Sequence, residues 1–108
     1  MTVGIISGNT GSITILSATV DLGSVAANTS ETETATVTGV KTTDIIVGIK
    51  PTLEAGLLIG TCWVSAADTV SIQVGNLTAS PINAASETWK FIVFRPDNPN
   101  TTVSKVIT

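Results

Sequence analysis

Histidine and tyrosine are absent from these 108 residues, and cysteine occurs once, at Cys62. Without histidine, every imidazole-based catalytic or metal-binding scheme is closed. One cysteine excludes an intramolecular disulfide and any paired-thiol site. Charge is also scarce. Lys, Arg, Asp and Glu make up 12% of the chain, against about 25% in an ordinary soluble domain. The five cations against eight anions give a net charge of −3 and leave no basic face for nucleic acid. Aromatic residues are 4%: Trp63, Trp89, Phe91 and Phe94. No apolar run approaches the ~18 to 20 residues that span a bilayer as a helix, so no membrane partner is expected. The first residues lack a basic stretch followed by a long apolar one, so no signal peptide is expected.

What remains is apolar and rich in β-formers. Hydrophobic residues reach 43%, mean hydropathy is +0.46, and about a quarter of the positions are Ser or Thr. Such a chain is too apolar for disorder and suits a subunit that buries surface in an assembly. No window carries a helical stripe with caps. Short alternating or all-apolar runs recur instead, separated by Gly, Asn, Asp, Ser and Pro. They fall at 3–7, 12–16, 19–22, 31–38, 44–50, 59–66, 69–75 and 87–95. The turn Gly8-Asn9-Thr10-Gly11 makes residues 3–16 a candidate hairpin, and Ala67-Asp68 closes a second one. Residues 44–50 (DIIVGIK) read as the most buried strand, stopped by Pro51, and residues 52–58 read as a crossing between sheets. Glu31 and Glu33 alternate with Thr and are expected to face solvent.

The expected fold is all-β, an antiparallel β-sandwich of jelly-roll or immunoglobulin-like type with extra N- and C-terminal strand segments. Three regions follow: an N-terminal hairpin or arm at 1–16, a sandwich at 17–95 and a C-terminal tail at 96–108. No constellation for chemistry emerges. Asp21, Asp44, Glu54, Asp68 and Glu87 stand at strand ends or turns, where carboxylates satisfy backbone donors. No acidic cluster, nucleophile motif or phosphate loop is present, so no cofactor, metal or enzymatic activity is expected. Trp63 and Trp89 each sit within a strand and read first as core filler, then as interface, and last as a sugar platform.

Residues 17–95 also resemble a small β-sandwich module of tailed-bacteriophage structural proteins. The resemblance rests on the order Lys50-Pro51-Thr52, Ala55-Gly56-Leu57, Val64-Ser65-Ala66-Ala67-Asp68-Thr69, Asn76-Leu77-Thr78-Ala79, and a final aromatic strand closing at Arg95. A free-standing copy with added terminal strands looks most like a capsid decoration, or cement, protein. That resemblance implies a virion protein on the outer capsid surface, a homotrimer whose partner is the major capsid protein, bridging capsomers and stabilising the shell. A tail- or head-fibre module attaching to host glycans is the alternative. The residues expected to meet the capsid or a neighbouring subunit are Val3, Ile5, Ile6, Ile13, Ile15, Val103 and Val106 in the terminal additions, with Trp63.

Overall fold

Val, Ile and Thr alternating between turn residues favour pleated strands, and the computed structural model, which describes residues 10–96, is built of them. The strands are β1 (Thr10–Val20), β2 (Ser24–Val25), β3 (Thr29–Thr36), β4 (Ile45–Ile49), β5 (Leu57–Ala66), β6 (Thr69–Asn76), β7 (Ile82–Asn83) and β8 (Glu87–Pro96). No helix occurs among the described residues. Two three-stranded antiparallel sheets, β1-β8-β4 and β3-β6-β5, form the layers, and the short β2-β7 ribbon is a third pairing. The fold is the all-β sandwich that the alternation implies.

Cross-strand partners in an antiparallel pair share a face, so the registers identify the core. From the first sheet Leu16, Ala18, Val20, Ile46, Trp89, Phe91 and Val93 point inward. From the second come Ala35, Leu57, Ile59, Cys62, Val64, Val70, Ile72 and Val74. Trp89 and Phe91 are fully buried, with ring centroids 6.0 Å apart and planes 24° from parallel. Gly48 sits opposite Phe91, and a Cβ there would lie 2.8 Å from the Phe91 ring. The absent side chain is what lets that ring enter the core.

Three expectations change. Residues 12–16 are not the second limb of a separate arm. They form one strand with 17–20, and β1 runs unbroken through the boundary expected at 16/17, pairing with β8 from Thr10↔Pro96 to Val20↔Glu87. The other limb, 3–7, and the tail from 97 onward lie outside the described residues. Second, residues 44–50 are not the most buried strand. β4 is an edge strand in which only Ile46 is buried, while Ile45 is 64% exposed. An apolar run signals cover on both faces only if both faces are covered by this chain. Third, Glu31 and Glu33 do not point away from the core. They pair with Val74 and Ile72, whose side chains are inward, so both carboxylates lie half-buried on the inner side of the β3 edge. Burial raises the Glu33 carboxyl above its usual range, helped by the neighbouring Glu31.

The connection after β4 does cross between sheets, as expected. Lys50 anchors it, its ammonium bonded to Glu87 and the Thr52 carbonyl and 2.9 Å from Glu54. Burial works against that charge, but the two carboxylates outweigh it and hold Lys50 above its ordinary value. Asp68 adopts a positive φ of 62° in the β5–β6 turn, a conformation Asp tolerates. Its carboxylate accepts the Gly39 N–H at 2.7 Å, tying that turn to the loop after β3.

Candidate functional site

The feature that stands apart is the outer face of the β1-β8-β4 sheet. Ile13 and Ile45 flank Phe94 in register, forming one row across three strands. Ile15 and Val47 flank Ile92 in the next row. In the third row Ser17, Lys90 and Ile49 bring the first polar groups. Ile15 and Ile45 are each about two-thirds exposed, and Ile13, Val47 and Ile49 about half. Phe94 and Ile92, on the central strand, are half-buried by these neighbours. A solvated outer sheet face ordinarily reads polar. Here seven apolar side chains adjoin, and Lys90 is the only charge in the three rows.

Of the residues expected to make contacts, Ile13 and Ile15 lie in this patch. Trp63 does not, because it faces outward from the opposite sheet, 38% exposed. The reason is a bulge. Ile59 pairs with Val74 and Cys62 with Ile72, so one extra residue intervenes at Gly60-Thr61. A one-residue insertion inverts every later side chain, turning Cys62 inward and Trp63 out. Trp63 is thus not core filler. Val3, Ile5, Ile6, Val103 and Val106 lie outside the described residues. The alternation analysis missed Ile45, Val47, Ile49, Ile92 and Phe94. One signal was present: FIVF, residues 91–94, is apolar on both faces of a strand.

The polar groups are engaged in structure. Asp44 is buried and receives Arg95 in a two-pronged pair, Nε to Oδ1 at 2.9 Å and one terminal nitrogen to Oδ2 at 2.8 Å. The Lys41 N–H donates to the same carboxylate, and the Arg95 hydrogen bonds hold Asp44 below its usual range. Asp21 accepts the Gly23 N–H, and Glu54 accepts that of Ala85. Asn76 is 1% exposed; its amide donates to the Val25 and Ser80 carbonyls and its oxygen accepts from Thr78. Burial pushes the Cys62 thiol up, away from the reactive thiolate. A cleft of about 140 Å³ is lined by Ser12, Thr14, Leu16, Thr38, Gly39, Val93 and Arg95. It is smaller than the roughly 300 Å³ at which ligand pockets begin, and Asp44 already neutralises its one cation. Among the described residues no three metal-ligating side chains converge.

In comparisons with known proteins, the chain matches no family model, no curated protein and no solved structure. The outer apolar face therefore carries the functional argument.

Proposed function

We propose that this chain is a non-enzymatic virion subunit, a head decoration protein that binds the major capsid protein through the outer face of the β1-β8-β4 sheet. The observation that carries the reading is the register-aligned apolar patch of Ile13, Ile15, Ile45, Val47, Ile49, Ile92 and Phe94. Adjoining apolar side chains on a sheet face that would ordinarily be polar are the surface here best suited to contact with another molecule. The resemblance of residues 17–95 to phage structural modules supplies the kind of particle. Each position on one sheet face occupies about 4.8 Å by 6.8 Å, so the seven positions tile about 230 Å². A stable pairwise interface takes roughly 800 Å² from each partner. One patch is well short of that, which suits repeated weak contacts on a lattice more than a single tight complex.

The test is co-sedimentation of the purified chain with expanded empty capsids, comparing wild type with Val47→Lys. Val47 is exposed on an edge strand, so the substitution spares the core. Saturable binding that Val47→Lys reduces at least about tenfold supports the reading. Unchanged binding by the variant, or none by wild type, refutes it. Deleting 1–16 is not a usable test, because it removes over half of β1.

One observation favours attachment to glycans as a second reading. Trp63 stands exposed on the other outer face, with the exposed Ser65 two residues further along β5. Aromatic faces beside hydroxyls suit sugars. Because Trp89 is buried, a fluorescence change on adding glycans would report Trp63, and a flat titration would dismiss the idea.

A further inference from the structure

The free edges of the two sheets are not alike. Sheet edges template pairing with other chains, and proteins blunt them with inward charges, short strands, bulges or cover. The β3 edge carries Glu31 and Glu33 on its inner side. β4 is only five residues long. β5 is broken by two register shifts. β1 has none of these guards along its main length. It is the longest strand, eleven residues with no charge and no proline, and its one irregularity lies at its start, between Thr10 and Ser12. Among the described residues nothing pairs with its outer edge.

We infer that the β1 edge pairs antiparallel with β1 of a second copy, joining two three-stranded sheets into one six-stranded sheet across a twofold axis. The sequence of β1 also selects the register. Centring the pair on Thr14 sets Ile13 opposite Ile15 of the second copy, twice, with Thr14 facing Thr14. Each outer row then runs without interruption: Ile45, Phe94, Ile13, then Ile15, Ile92 and Val47 of the second copy. Centring on Ile15 instead sets Ile13 opposite Ser17 and keeps only the Ile15 row continuous, breaking the Ile13 row in both copies. Cross-strand β-branched pairs and Thr–Thr pairs are favourable. The second copy is the fitting occupant because the edge is self-complementary, as a twofold interface requires. A threefold ring through sheet edges would need β1 to meet a different edge, and the other three are guarded. The twofold pair thus replaces the homotrimer that the resemblance implied. The pairing would double the flat apolar area to about 460 Å².

The test is analytical ultracentrifugation of the full chain over a wide concentration range, with Thr14→Glu, Thr14→Cys and Thr19→Cys. Wild type is expected to dimerise. Thr14→Glu sets two carboxylates face to face on the axis and should raise the dimer dissociation constant at least about tenfold. Mild oxidation of Thr14→Cys should give a covalent dimer, since facing Cα atoms in an antiparallel pair fall within disulfide range. Thr19→Cys lies beyond the paired stretch and should not cross-link, nor should wild type, whose Cys62 is half-buried. A monomer at every concentration overturns the inference and turns attention to residues 1–9 as the edge's occupant. A trimer overturns it, and so does a dimer in which Thr14→Cys fails to cross-link. None of these readouts involves capsids, so the pairing stands or falls apart from the proposed function.

Discussion

Trp89 offers the most direct test of how the sandwich is held together. Its side chain is fully buried on the central strand β8, stacked on Phe91, and its indole N–H has no acceptor among the described residues. Trp89→Ala removes the largest core side chain and leaves a cavity, a change that typically costs about 3–5 kcal/mol. Domains of this size are stable by about 5–15 kcal/mol, so the loss is a large fraction of the whole. At about 4–8 °C per kcal/mol, the melting temperature should fall by at least ~12 °C. Trp89→Phe is different. It also loses volume, but it removes a buried, unpaired donor whose desolvation costs about 1–3 kcal/mol. The two terms oppose, and the phenylalanine variant should lose less than ~2 kcal/mol. Guanidinium unfolding followed by far-ultraviolet circular dichroism measures both. An alanine variant within ~1 kcal/mol of wild type would show that Trp89 is not a core residue. A phenylalanine variant as damaged as the alanine one would show that the indole N–H has a partner after all.

Gly48→Ala places a methyl group 2.8 Å from the Phe91 ring and 3.2 Å from the Cys62 sulfur, so overpacking should cost about 1–3 kcal/mol in the same unfolding assay. Asn76→Ala strands the Val25 and Ser80 carbonyls and the Thr78 N–H, and should lower stability by at least ~2 kcal/mol, checked by thermal melting. Asp44 is held below its usual pKa by Arg95, so the folded value lies under the unfolded one. Its contribution is present above the ordinary aspartate range, near 4, and is lost as pH falls below it. Acid titration from about pH 5 to about pH 2 should therefore destabilise wild type more steeply than Arg95→Gln. Parallel acid limbs for the two proteins would contradict that linkage.

The two-layer architecture was legible because alternation survives wherever one face of a strand is buried. Residues 69–75 and 87–95 show it, with Val70, Ile72 and Val74, and Trp89, Phe91 and Val93, all lining the core. What alternation could not convey was where it is interrupted. The bulge at Gly60-Thr61 carries no hydrophobic signature, yet it decides that Cys62 rather than Trp63 enters the core. Nor does the sequence state which strand is central. DIIVGIK and FIVF are both apolar on two faces, but one is an edge and the other a centre. The candidate site was half-legible for the same reason. Ile13 and Ile15 stand out as apolar residues in an N-terminal addition, while Ile45 and Val47 fall in the run that reads as most buried, and Ile92 and Phe94 lie on the face of 87–95 opposite its core residues.

Those misassigned residues share a physical cause. A strand that is apolar on both faces gains from cover on both, and the described residues supply only the inner cover. The surplus apolar positions on β4 and β8 are written in the same alternation that specifies the core, and they are the observation on which the proposed contact surface rests. They also raise the risk of unwanted association. Three of the four sheet edges carry devices against pairing, so the chain is not indifferent to that risk. An unguarded β1 beside an uncovered apolar face is most simply explained if both are covered by contacts made in the assembled state.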